Sequence, residues 1–197
     1  MKFKEYLLEK RKYNVMVVDI QPMYRSFIGF DINKFCDFLL EQNEILYLFN
    51  GPDTVDGDKK SEIIDWLCED YYNADPLYEK LTGDVFFHDK GYAFFRGWMD
   101  QGADPGFIKK AIRFMLSKKA HDSRDIDEEL WMKEFPNDWE DYMNGDNIYL
   151  PDIPLNKLRK FSGGYIVGGG KNECLKEFQI LMSVFNIRAK EVKEFIY

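Results

Sequence analysis

The sequence predicts a three-layer α/β domain, with a mostly parallel central sheet and helices on both faces. Short apolar runs alternate with segments of helical period along most of the chain. Most of the runs are apolar throughout, without polar alternation, which suits strands covered on both faces. Several of them stop at an acid or a glycine-rich turn, where a parallel strand hands over to its crossover helix.

The elements follow in order. A charged stretch at about 3–10 reads as a short opening helix. Residues 14–19, NVMVVD, form the first buried strand, and 32–40 place Phe35, Phe38, Leu39 and Leu40 at helical spacing. ILYLF at 45–49 is the second strand, closed by the turn-rich NGPDTVDGD. A helix over 61–71 carries Ile63, Ile64, Trp66 and Leu67 on one side. The third strand, VFFH at 85–88, runs into DKGYAFFRGWMD.

A further helix over 105–118 turns Phe107, Ile108, Ala111, Ile112, Met115 and Leu116 inward. The polar stretch at about 120–145, with Trp131 and Trp139, has no clean period and reads as an insertion or lid on a single domain spanning 1–197. Two more strands are expected at 147–150 and 165–167, separated by a helix near 154–161. The last long helix covers 175–185, and 189–197 closes the chain as a strand. There is no internal repeat and no low-complexity tract.

Composition narrows the function. A chain of 197 residues, 45% apolar and 17% aromatic, buries a full core without staples. Its 35 acidic residues against 27 basic ones leave a net charge of −8, which repels polyanions and argues against nucleic acid or an anionic membrane as a general partner. Cys36, Cys68 and Cys174 are an odd number with no CxxC pair, so neither a disulfide framework nor a structural zinc site is expected. No signal-peptide core or membrane-length apolar run is present, and the expected location is a reducing cytoplasm.

In a parallel sheet the working residues lie at the carboxyl ends of the strands. Asp19, the NGPD turn, Asp89-Lys90 and the segment from Gly168 to Cys174 all fall at inferred strand ends, so they should share one edge. In GGGKNECLKEF a strand stops at a glycine turn and feeds a helix, whose N–H groups would acidify a thiol at Cys174. The plainer reading makes Cys174 one small apolar residue in the first turn. Asp19 is read as a metal ligand, a base or a helix cap, and Lys90 as either solvated or charge-stabilising. Together the three would form an activated nucleophile with its own base.

VVDIQ, DKGYAFF and VGGGKNECL resemble the motifs of the isochorismatase-like cysteine hydrolases, and the chain as a whole resembles a divergent, phage-type member of that superfamily. The matching positions are Asp19 and Gln21, then Lys90 with Ala93-Phe94, then Gly168 six residues ahead of Cys174. The resemblance implies that Cys174 attacks a carbonyl-type carbon, Asp19 shuttles the proton and Lys90 holds the charge. It further implies that Gln21, Phe94, Gly168, Gly169 and Gly170 bind a small-molecule substrate at an amide-like or ester-like bond. A cis peptide near Gly169-Gly170, with an oxyanion hole of backbone N–H groups, is also implied. The site should lie beneath the 120–145 segment. The interval from Lys90 to Cys174, 84 residues, is about twice the family's, with the surplus between about 112 and 160. The family's Asp-x-His-x-x-His metal cluster is missing, since His88 and His121 are the only histidines, and no metal or other cofactor is expected.

Two other classes use the same edge. A PIN-like nuclease would gather Asp19, Asp53, Asp89, Asp125 and Glu173 around divalent metal, with Arg96, Lys109, Lys110, Arg113, Lys118 and Lys119 lining a groove. A non-catalytic domain would use the glycine turn for a small anion, or the Trp131–Trp139 stretch for a protein partner, a second copy of the chain included.

Overall fold

The computed structural model of the chain describes residues 13–53, 57–90, 95–137 and 147–197. The opening helix at about 3–10, the Ala93-Phe94 pair and Trp139 lie outside the described residues. Five strands, β1 (Val15–Val18), β2 (Ile45–Phe49), β3 (Val85–Asp89), β4 (Tyr165–Gly168) and β5 (Lys190–Glu191), form one sheet in the order β3-β2-β1-β4-β5. Every described pairing is parallel. The predicted three-layer α/β class is the observed one.

The period-2 geometry of a strand sorts the apolar runs onto two faces. Met16, Val18, Leu46, Leu48 and Ile166 point to one layer, containing α5 (Pro105–Lys118) and α8 (Cys174–Val184). Val15, Val17, Ile45, Tyr47 and Val167 point to the other, built from α1 (Ile32–Glu41), α2 (Lys60–Cys68) and α3 (Ala74–Gly83). Burying each such side chain contributes about 1.5–3 kcal/mol, so the double coverage is what keeps strands of only four or five residues in place. Asp31 starts α1 by accepting from the Asn33 and Lys34 N–H groups, and Asp104 starts α5 in the same way ahead of Pro105. Three shorter helices, α4 (Arg96–Asp100), α6 (Glu128–Glu134) and α7 (Leu155–Arg159), complete the α5 side.

Some elements differ from expectation. Residues 147–150 are not a sheet strand. Tyr149 makes one antiparallel bridge to Asp122, while Ile148 and Leu150 turn into the core beside α5, so the segment serves packing. The closing strand shrinks to β5, because a 3-10 turn at Lys193–Phe195 swings Phe195 among Phe30, Phe35 and Phe38, with ring centroids 5.1–5.5 Å apart. The helix expected over 61–71 stops at Cys68, and α3 follows it after a turn. That helix was not predicted, since its buried stripe is only Leu77 and Leu81.

The described part of the supposed lid, residues 120–137, sends a few side chains into the core while most of its surface faces solvent. Ile126, Trp131 and Phe135 pack with Phe107 and Phe114 of α5, and the Trp131 indole N–H donates to the Ser123 carbonyl at 3.1 Å. Among the described residues, no helix is long and apolar enough to cross a membrane.

Candidate functional site

The strand order places the reversal of sheet direction between β1 and β4, and open parallel sheets bind ligands in the crevice beyond such a point. β1 runs out at Val18. Asp19 then adopts a left-handed backbone with φ 54°, an uncommon choice for a residue other than glycine, and its carboxyl is fully buried. From the end of β3, the Lys90 ammonium reaches back across the sheet to Asp19 Oδ2 at 3.1 Å. The intervening position, at the end of β2, is Asn50, whose Oδ1 accepts from Lys90 Nζ at 2.7 Å.

Asn50 is itself held by Gln21. Its N–H donates to Gln21 Oε1 at 2.8 Å, and Gln21 Nε2 donates to the Asn50 carbonyl and to Asp58 Oδ2. Gln21 is fully buried and stands behind the cavity wall, supporting Asn50. From the far side of β1, β4 ends at Gly168, and the turn through Gly170 delivers Cys174 as the first residue of α8. The Cys174 thiol comes to rest beside the Asp19 carboxyl, close enough for each to shift the other's titration. Neither Asp19 oxygen makes a well-aligned hydrogen bond among the described residues, and the Lys90 ammonium meets the carboxyl as an ion pair. Four adjacent strand ends thus contribute one group each: Lys90, Asn50, Asp19 and Cys174.

The glycines make the turn possible. At Gly168 φ is +81°, and a Cβ there would run into the Val18 carbonyl oxygen. At Gly169 φ is +67°, and a Cβ would meet the Leu175 N at 2.9 Å. Only Gly170 of the three lines the cavity. All described peptide bonds are trans, including those around Gly169-Gly170, where the resemblance implies a cis bond.

The electrostatics also depart from the sequence reading. Burial first, and the Asp19 charge second, push the Cys174 thiol well above the ordinary range, with Lys90 pulling the other way. Cys174 therefore rests as a thiol, where helix position alone predicts an acidified one. Burial also raises Asp19, against the opposing pull of the Lys90 charge. Of the other cysteines, Cys36 is fully buried. Cys68 is partly exposed and lines a shallow depression beside Trp66.

The cluster opens on a cavity of about 790 Å³ lined by Cys174, Gly170, Tyr24, Phe27, Arg96 and Tyr197, with Asn50, Asp100, Lys171, Asn172 and Glu173 completing the wall. None of the described residues in 120–137 contributes, so that segment does not cover the site. A smaller cavity of about 310 Å³ between α1 and α2, beside Arg25, Trp66 and Tyr71, holds none of the cluster's groups.

One buried acid escaped the sequence reading. Glu177 is 1% exposed, its Oε1 accepts from the Phe95 N–H at 2.8 Å, and burial raises its carboxyl to about 7. The available signal was a carboxylate three residues after Cys174, on the apolar stripe of α8. Arg96 completes the clamp between α4 and α8, meeting Glu173 at 3.1 Å and Asp100 at 2.8 Å.

The carboxylates named for a nuclease do not converge. Asp89 accepts from the Gly51 N–H, Glu173 faces Arg96, and Asp125 caps the Asp122 N–H. Among the described residues, no three His, Cys, Asp or Glu side chains stand close enough to hold a metal ion. Lys110, Arg113 and Lys118 line a separate depression on α5.

No family model matches the chain, and no curated protein matches it in sequence.

Proposed function

We propose that the protein is a cysteine-nucleophile hydrolase of isochorismatase-like type, cleaving an amide-like or ester-like bond of a small molecule in a reducing, cytoplasmic setting. One observation carries the reading: Asp19, Lys90 and Cys174, which lie 71 and 84 residues apart in sequence, form one buried cluster at the mouth of a cavity.

In the first half-reaction Cys174 Sγ bonds to the carbonyl carbon while its proton passes to Asp19. The collapsing tetrahedral adduct expels the amine or alcohol, which takes that proton, and leaves a thioester. In the second half-reaction Asp19 removes a proton from water, the hydroxide attacks the thioester, and Cys174 departs with the proton returned. Lys90 balances the single negative charge as it passes between the Asp19 carboxyl, the sulfur and the oxygen of the adduct. The N–H groups of the first turn of α8, which have no acceptor within the helix, face the developing oxyanion.

The test offers the full-length protein a small activated ester, p-nitrophenyl acetate. A burst of nitrophenol, with acetate found on Cys174 by peptide mass spectrometry and lost in Cys174→Ser, is the expected outcome. Acetylation spread over surface lysines, with no burst and no change in Cys174→Ser, sinks the proposal.

A further inference from the structure

Asp19 is held in a left-handed conformation, and that conformation needs an anchor. The Tyr197 hydroxyl supplies one by donating to the Asp19 carbonyl oxygen at 2.8 Å, from a position 178 residues away in sequence. The same residue ties down the nucleophile's turn. Its carbonyl accepts from the Lys171 N–H at 2.9 Å, and its N–H donates to the Gly169 carbonyl at 3.4 Å. Two residues earlier, Phe195 is locked into the aromatic cluster on α1, so the segment is fixed in place before it reaches the site. The Tyr197 ring also lines the cavity, 6.3 Å from the ring of Tyr24. Burial and the nearby Asp19 and Cys174 keep the phenol protonated, so it remains a donor.

We infer that Tyr197 is a positioning residue that joins the base to the nucleophile: it sets the Asp19 carboxyl against the Cys174 thiol while pinning the turn that carries the cysteine. Three hydrogen bonds from one residue to the two loops that must meet are more than packing requires. The inference rests on the hydrolase reading, in which Asp19 serves Cys174.

The test is the pH profile of Cys174 alkylation by iodoacetamide in the full-length protein, read by peptide mass spectrometry. Tyr197→Phe keeps the ring and the backbone pairing, so the fold should survive with a melting temperature only a few degrees lower, the cost of one hydrogen bond. Without the hydroxyl, Asp19 relaxes away, its charge weighs less on the thiol, and Lys90 pulls the thiol's titration down. The profile should shift to lower pH, and the rate near neutral pH should rise roughly 2- to 10-fold, the equivalent of one lost hydrogen bond. In Asp19→Asn the same tyrosine change should add nothing further.

A Tyr197→Phe profile that overlays the wild type overturns the inference. So does an effect of equal size in the Asp19→Asn background, which would mean that the tyrosine acts by another route. The ester burst is read separately. Its absence removes the hydrolase reading, whereas its presence with a silent Tyr197→Phe removes only the role of Tyr197.

Discussion

Replacing Asp19 by Asn should make Cys174 more reactive toward an alkylating agent and useless toward a substrate. The carboxyl raises the thiol by its charge, while Lys90 acts in the opposite direction. A unit charge at about 4 Å in a medium of effective dielectric near 20 is worth about 4 kcal/mol, or roughly a thousandfold in the thiolate population. Intrinsic nucleophilicity falls as the thiol becomes more acidic, with a Brønsted coefficient of about 0.4–0.5, so the net gain in alkylation rate is a few tens of fold. The assay is iodoacetamide labelling near neutral pH, resolved by peptide so that partly exposed Cys68 and buried Cys36 are scored apart. Ester turnover is measured alongside, and should vanish because an amide takes no proton from sulfur. A folded Asp19→Asn protein that alkylates at the wild-type rate or more slowly refutes the coupling between the two side chains.

Other outcomes follow from the same geometry. Glu177 is raised from the ordinary 4.5 to about 7, so its neutral form favours the fold at low pH and that contribution is lost as pH rises through about 7. Glu177→Gln keeps the acceptor for the Phe95 N–H and cannot ionise. Urea melts should show it gaining up to about 3 kcal/mol over the wild type between about pH 4.5 and 7. Lys90→Met leaves the Asp19 carboxylate buried without its cation and should cost about 3–5 kcal/mol at neutral pH, less in acid where Asp19 takes a proton. A flat pH dependence of that loss would contradict the pairing. Gly168→Ala should cost about 1–3 kcal/mol in urea melts through its positive φ and the contact with Val18, and unchanged stability would mean the turn can rearrange.

The sheet was legible because its strands are buried on both faces, which leaves short unbroken apolar runs such as VMVV and ILYLF. What could not be read was anything decided by a single side chain's destination. The closing segment, KEVKEFIY, has strand composition, yet Phe195 reaches for the aromatic cluster on α1 and breaks the pairing after two residues. The polar stretch after α5 looks like a loose cover because its core positions, Ile126, Trp131 and Phe135, fall at irregular spacing around capped turns. At the site, Asp19, Lys90 and Cys174 could be named from strand ends, and Asn50 only as part of the NGPD turn, but Glu177 and Tyr197 could not. Each of these acts through a contact set by strand order, and strand order leaves no local mark in the sequence.

The raised thiol fits hydrolysis better than the acidified one expected from its place at a helix start. With Lys90 charged, the cluster is neutral whenever the Asp19 carboxyl and the Cys174 thiol hold one proton between them. Moving that proton from sulfur to carboxyl leaves the net charge unchanged, so burial, which penalises a lone charge heavily, hardly opposes the transfer. A permanently ionised thiolate would instead leave two anions facing one ammonium in a site with almost no exposure, since Asp19 and Lys90 are 0% and 2% exposed at their side chains. Burial raises the thiol and the carboxyl in the same direction, so in the proposed reaction it opposes separating charge from the pair rather than passing the proton within it. The hydrogen-bonded frame of Asn50, Gln21 and Tyr197 holds that balance in place, because a small displacement of Asp19 would strand either the ammonium or the sulfur.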